Sequence, residues 1–458
     1  MFSSNARRWA ATACLAGVAL AGPLSGCDFT DGFDDDPNAA TDAPADLLLT
    51  GGEIGVIQVA EGDFARVAGM WSRQFTGSDR QYSSIFAGTV TGEDFDNTWI
   101  AAYQDGAAQL RLAQAKYEAA GNNLGAGITK LHQAYIFGTM ADLFGDIPFS
   151  EALNLADNPN PAFDAQASVY AGVQGLLDAA LADFNATTTA TQTGDLFNRS
   201  RTQYIEIAHS LKARFYLHTA EYSRAAAEAA QGISASTNNL VAPHPGVDGQ
   251  STNLFFAFTQ LARDGYLTAN GAYAAQLLDA RRGPNDTTTN PIDTRYDFYY
   301  EGPVATAVLD NANAFARTAG YPIITYAETQ FILAEATLLS GGSSADALAA
   351  LNRVRTANQS QFPGEASPNF AAGDFATQNA LLRAILTEKY LTLIGSIEAF
   401  NDVRRTDNFI GIPPSTSQGI PQRFLYAQTE LNANSNAPAQ PNLFAETPVN
   451  ASINYAGI

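Results

Sequence analysis

Two stretches of the sequence set aromatic rings beside polar side chains outside any helical repeat. The first, TGSDRQYSSIFAGTVTGEDFDNTW, holds Asp79, Arg80, Gln81, Tyr82 and Trp99. The second runs from NLFFAFTQLARDGY to DTRYDFYY and holds Asn253, Phe256, Arg263, Tyr266, Arg295 and Tyr299. Ring faces stack on the apolar edges of a ligand, while amide, carboxylate and guanidinium groups meet its hydroxyls or amides. That combination suits the capture of a sugar or a peptide. For every ring, packing in the core competes with such a use, and Trp71 and Phe75, on a helical pattern, are read as core.

No spacing points to catalysis. His132, His209, His218 and His244 lack metal-ligand spacing, and HExxH, a nucleophile elbow and a phosphate-binding glycine loop are all missing. Asp34, Asp35 and Asp36 invite comparison with a calcium loop, but Ala39 stands where the glycine belongs and Ala45 where the glutamate belongs. Neither a metal nor a cofactor is expected. Glu328 and Glu335 lie two helical turns apart and share one face, where polar contacts between stacked helices suit them better than acid–base work. Arg404 and Arg405 are expected to pair with Glu398 and Asp402, and Arg423 to tie the C-terminal segment to the scaffold. In LFGDIPFSEAL, Gly145 ends a helix, Pro148 breaks it, and Asp146 or Ser150 caps the next segment. Glycosidase carboxylates carry no fixed spacing, so a surface glycan hydrolase or lyase stays open on the residues alone. So does a helical-repeat protein that binds only other proteins.

The N-terminus reads as an export signal. Arg7 and Arg8 precede an apolar run from Ala10 to Gly22, about a dozen residues where a bilayer span takes roughly 20. The run ends in Leu24-Ser25-Gly26-Cys27, which matches the lipobox of bacterial lipoproteins, so cleavage before Cys27 and acylation of its sulfur and amino group are expected. Cys14, the only other cysteine, leaves with the signal, so no disulfide is expected to remain. Acyl chains hold a protein on a membrane at about 0.8 kcal/mol per buried methylene without a spanning helix. The whole chain of 458 residues carries a net charge of −21, which argues against nucleic acid and against lying flat on anionic lipid. The organisation expected is a signal peptide over 1–26, a lipidated acidic tether over 27–47, and a single domain over 48–458.

Helical periodicity dominates that domain. Tyr204, Ile207, Ala208, Leu211 and Phe215 recur at helical spacing, and LHTAEYSRAAAEAAQGI adds an Ala-lined partner. A second pair comes next, broken at Gly341-Gly342 and restarted at Ser343 or Ser344, with Leu348, Leu351 and Val354 on its face. Further helices are expected near 53–76, 92–120, 126–142, 167–187 and 376–404. Such pairs, with alanine at close-packing positions, resemble tetratricopeptide repeats. Long irregular stretches over 235–324 and 408–458 are rich in Phe and Tyr, and point to ordered loops.

In register, DPNAATDAPADLLLTGG, MWSRQFTG, WIAAYQDGAAQL, TMADLFGDIPFSEAL, IEIAHSLKARFYLHTAEY, YPIITYAETQFILAEATLLSGG, EKYLTLIGSIEAFNDVRRTDN and IPQRFLYAQTELNANSNAP resemble the SusD/RagB family of nutrient-binding outer-membrane lipoproteins. One departure is Thr325, where many relatives carry arginine. The resemblance implies a mainly α fold, a tetratricopeptide-like scaffold with a loop-rich ligand face. It implies a non-enzyme at the outer surface of the outer membrane that captures glycan or peptide oligomers for a SusC-like, TonB-dependent transporter.

Overall fold

Apolar periodicity becomes helix nearly wherever the sequence shows it. The computed structural model describes residues 43–154, 158–282, 293–362, 364 and 367–455; Cys27 and the aspartates at 34–36 lie outside them. The body starts at Pro44, and α1 (Ala45–Glu61) begins inside the segment read as tether. With α2 (Asp63–Trp71) it divides the helix expected over 53–76. Gly62 makes the break: its N–H still reaches the Gln58 carbonyl at 2.9 Å, but its ψ of −144° turns the chain. Phe75 lies just beyond the helix and is buried, as is Trp71.

After α3 (Arg80–Phe86) comes one long helical run: α4 (Asp96–Ile100), a π-helical segment (Ala101–Ala108) and α5 (Gln109–Ala119). The π-helical segment lies against α1. A Cβ built on Gly55 would stand 2.4 Å from the Gly106 Cα, so only glycine lets these two backbones meet.

The scaffold is a stack of helix pairs. α6 (Asn123–Phe144), α7 (Gln166–Asn185), α8 (Arg201–His218) and α9 (Tyr222–Ala229) each pack on the one before. The chain then leaves the stack for about ninety residues, which carry α10 (Leu254–Phe256), a second π-helical segment (Ala257–Ala262), α11 (Tyr273–Asp279) and α12 (Arg295–Tyr299). It returns as α13 (Tyr326–Leu339) directly against α9, so α13 and α14 (Ser344–Gln361) continue the stack. Ala213, Ala225, Ala229 and Ala336 line that junction, where small side chains permit close approach. Ser343 caps α14, accepting the Asp346 N–H at 3.0 Å. The helix expected over 376–404 is two, α15 (Gln378–Thr392) and α16 (Glu398–Arg405), and α17 (Gln428–Ala433) comes after them. This is the mainly α, tetratricopeptide-like architecture that the helical periodicity and the resemblance imply. Among the described residues no helix is long and apolar enough to cross a membrane.

Buried charges are paired between helices rather than aimed at solvent. Arg214 on α8 forks both oxygens of Glu328 at 2.6 Å, and Arg405 on α16 forks Glu335 at 2.6 and 2.7 Å. The two carboxylates thus tie α13 to different neighbours, and Arg405 also reaches Asp402. Arg404 departs from expectation, donating to the main-chain carbonyls of Asp142 and Gln422 at 2.9 and 3.0 Å. Arg423 donates to the Phe144 carbonyl, at the end of α6. Asp146 caps α7 from a distance, accepting the Gln166 N–H at 2.8 Å, after Gly145 ends α6 at φ +85°. Thr325 caps α13 through the Glu328 N–H at 3.1 Å.

The fold brings His218 between Asp142 and Glu398, at 2.7 and 3.0 Å, a trio that sequence spacing hides. Their donor atoms lie within 4.8 Å of one another, but both ring nitrogens already face carboxylates and Arg214 stands 3.6 Å from Glu398. The positive charge there comes from the protein itself. Burial alone would lower the imidazole pKa; the two carboxylates outweigh it and raise it to about 9.

Candidate ligand-binding site

A ladder of two residues joins the sequence-distant stretches. Thr76–Gly77 pairs antiparallel with Leu267–Thr268, Thr76 opposite Thr268. The Ser78 N–H extends the pairing to the Tyr266 carbonyl at 2.8 Å. Gly77 is required there, because a Cβ would fall 2.0 Å from the Tyr82 carbonyl oxygen. Asp79 then caps α3, accepting the Arg80 N–H at 2.9 Å. Arg80 itself sits at φ +45°, a left-handed conformation that costs a non-glycine residue and collects at functional sites. On the facing strand the turn Arg263–Tyr266 is closed by the Tyr266 N–H on the Arg263 carbonyl at 3.2 Å.

Gln81, Tyr82, Arg263 and Tyr266 converge on one cavity of about 230 Å³. Asp63, Val67, Ile85, Glu93, Asp94, Asn97 and Phe258 complete its lining. The Tyr82 ring lies 4.6 Å from Phe258 and 6.3 Å from Tyr266. The Arg66 guanidinium covers Phe258 at 4.4 Å, donates through Nε to the Tyr82 hydroxyl at 2.9 Å and through Nη2 to one oxygen of Asp63. The Tyr82 hydroxyl in turn donates to Asp63 at 3.1 Å. Burial pushes the Asp63 carboxyl up, but Arg66 and the Tyr82 hydroxyl outweigh it and hold it below the usual carboxylate range; burial raises the Tyr82 phenol. Asp63 is therefore a fixed ionised acceptor. Across the cavity, Gln81 donates to Asp94 at 2.7 Å, and Asp94 also takes the Thr91 N–H at 2.8 Å. Arg80 and Arg263 flank the Tyr266 ring, at 5.7 and 5.9 Å from its centre. The result is a small bowl of aromatic faces rimmed by carboxylate, amide and guanidinium groups, suited to a hydroxyl-rich ligand.

A broader depression of about 580 Å³ lies on α14 around Asn352, Arg353 and Thr356. It is a shallow scaffold groove that takes nothing from either aromatic stretch, so the smaller cavity is the better candidate.

Four residues expected at a ligand are instead interior. Trp99 is 4% exposed and packs 5.0 Å from both Tyr103 and Phe144. Asn253 is buried as a helix cap, taking the Phe255 and Phe256 N–H groups at 3.1 Å. Arg295 forks Asp293 at 2.9 and 2.7 Å and reaches Glu388 at 3.0 Å. Tyr299 is buried against Phe298 and Phe362 and donates to the Thr392 carbonyl at 3.0 Å. Arg295 and Tyr299 anchor their loop to α15, Asn253 holds the start of α10 together, and Trp99 packs α4 against α6. Phe256 is half-buried beneath Arg317, away from the cavity. Asp79 and Arg80 stand at its edge, one through the cap and one through Tyr266.

Sequence reasoning missed Asp63, Glu93, Asp94, Asn97 and Phe258. Glu93, Asp94, Asn97 and Phe258 lie inside the two aromatic stretches without a signal to single them out. Asp63 is hidden in a helix read as continuous, although its spacing of three from Arg66 marks a paired face.

No functionally curated protein matches the chain. A SusD homolog from Bacteroides uniformis shares its fold at a TM-score of 0.70 and 16% identity, covering 89% of this chain and 99% of that one. A SusD/RagB family protein from Bacteroides thetaiotaomicron aligns at 0.66 and 19%, covering 86% and 95%. A chitin-binding SusD homolog from Flavobacterium johnsoniae aligns at 0.62 and 16%, covering 88% and 98%. The SusD-like family model, described as starch-binding and associating with the outer membrane, matches residues 66–427. The chain belongs to the SusD/RagB family.

Proposed function

We propose that this protein captures oligosaccharides at the cell surface, without cleaving them, and passes them to a TonB-dependent outer-membrane transporter. One observation carries the binding role: side chains from two sequence-distant stretches, Gln81 and Tyr82 with Arg263 and Tyr266, converge on a single cavity rimmed by carboxylates. Tyr82 is 5% exposed and forms the wall; the partly exposed rings of Tyr266 and Phe258 match the apolar faces of sugar rings, and the carboxylates and amides match their hydroxyls. A peptide held by strand addition needs a long open sheet edge, and the strands here are two residues each. The family description as starch-binding and a chitin-binding relative point the same way.

Binding without catalysis is the reading the carboxylates favour. A glycosidase pairs a nucleophile or base with a carboxylic acid whose pKa is raised. Of the three carboxylates in the lining, Asp63 is held ionised by Arg66 and Asp94 is committed to Gln81 and Thr91, which leaves Glu93 as the one not held by such contacts. Attachment would come from acylated Cys27 through the acidic segment that ends where α1 begins. Delivery to a SusC-like barrel rests on family membership.

A glycan and peptide array probed with the purified protein tests this reading. Retention of one or more glycans supports it; retention of peptides alone, or release of shortened glycan products, overturns it.

A further inference from the structure

Beside the polar cavity runs a second recess of about 470 Å³. The two share Asp63, Asn97 and Phe258 in their linings, so the Phe258 ring, with Arg66 over it, stands between them. Their characters differ. The first is the more enclosed and is lined by four charged side chains, Asp63, Glu93, Asp94 and Arg263. The second is an open groove that sets small or apolar residues, Gly62, Ile100, Ala101, Leu254, Ala257 and Ala262, beside the charged Asp63, Arg66 and Asp105.

Both π-helical segments border this groove, Ala101–Ala108 on one side and Ala257–Ala262 on the other. Such turns are rare and occur frequently at functional sites. Here they place alanines along the groove and leave it unfilled, while Ile100 stays 38% exposed at its edge. Within the lining, the Gln58 amide oxygen is buried without a hydrogen-bond partner. The oxygen is therefore free to accept from a ligand hydroxyl or amide N–H, as it would from water.

Resting on the oligosaccharide reading above, we infer that the groove is a second subsite: the polar cavity takes one sugar unit and the groove takes the next units along the same chain. Continuity across Phe258 names the occupant. A separate ligand would have no reason to share three wall residues with the first, whereas a chain leaving the polar cavity past Phe258 meets the groove next. Its apolar residues fit the hydrophobic faces of successive rings, and Gln58 fits one hydroxyl or acetamido N–H among them.

The test is titration calorimetry with chito-oligosaccharides and malto-oligosaccharides of two to six units. Wild-type affinity should rise by at least about tenfold from the disaccharide to the tetrasaccharide in the series that binds, because further apolar faces leave water. Ala262→Trp, which fills the groove from an exposed position, should abolish that rise, its hexasaccharide affinity falling to the wild-type disaccharide value. Ile100→Asn, on the facing wall, should flatten the series in the same direction, and unchanged thermal midpoints show that both variants fold. Wild-type affinity that is independent of length, or a steep rise that survives in both variants, overturns the second subsite while leaving the first. Failure of every oligomer in both series to bind the wild type, with no glycan retained on the array, overturns the oligosaccharide reading and the subsite with it.

Discussion

The imidazole of His218 should make stability depend on pH in a window where few other groups titrate. It is 3% exposed and bridges Asp142 on α6 and Glu398 on α16, while itself on α8. Its pKa rises from 6.5 to about 9 on folding, which at 1.36 kcal/mol per pH unit corresponds to about 3 kcal/mol. Because the folded pKa lies above the unfolded one, that contribution is fully present below pH 6.5. It declines through the interval and is gone above about pH 9. The perturbation is His218→Gln, which keeps a polar side chain of similar length but cannot carry the charge. Urea unfolding of both proteins at pH 6, 7.5 and 9.5 gives the stability difference at each value. That difference should shrink by about 3 kcal/mol across the series, since titrations common to both cancel. A difference that stays constant within about 1 kcal/mol would refute the assignment of His218 as a buried imidazolium.

The same geometry sets further outcomes. Glu388 is buried among Arg281, Arg295 and Arg355; burial raises its pKa, but the three guanidinium groups outweigh that and bring it to about 2. Its stabilising contribution is therefore present above pH 4.5 and is lost as pH falls toward 2, and Glu388→Gln should cost about 3–5 kcal/mol at pH 7 by leaving buried cations short of their shared partner, measured by urea unfolding. Trp99→Ala should cost about 3–5 kcal/mol of stability, as for a core aromatic; a loss below 1 kcal/mol would mean that the ring is not packed as described. Cys27→Ala should move the protein from the membrane to the soluble periplasmic fraction, and unchanged partition with membranes would sink the anchoring proposal.

The scaffold was legible because its helices carry their own signal. Alanine at the α8–α9–α13 contacts, serine and threonine at the caps, and glycine at 145 and 341 all act over a few residues, and the sequence shows each directly. What stayed hidden depends on contacts made across hundreds of residues. His218 has no metal-like spacing, yet the fold sets it between carboxylates from two other helices. Arg295 and Tyr299 sit in an aromatic-rich loop, the composition of a ligand face, but their partners Glu388 and Thr392 lie on α15 and draw them inward. The same blindness ran the other way for Asp63, which looks like a helix residue, and for Phe258, one ring among many in its stretch, until the ladder at Thr76 and Thr268 draws the two stretches together. Aromatic and polar composition therefore pointed to two loops that meet at the cavity, and only long-range pairing decided which of their side chains reach it.

On the proposed function, Tyr266 and Arg263, with Gln81, hold an oligosaccharide against a wall that includes the buried Tyr82. Calorimetric titration of Tyr266→Ala and Arg263→Ala with chitohexaose and maltohexaose measures it directly, because both side chains are accessible enough to be removed without opening the core. Loss of a stacking ring is worth about 1–3 kcal/mol, so Tyr266→Ala should weaken binding of whichever hexasaccharide the wild type takes by roughly 5- to 150-fold, and Arg263→Ala should weaken it in the same direction, with thermal midpoints held. Full wild-type affinity in both variants would contradict the claim and move the site elsewhere on the molecule.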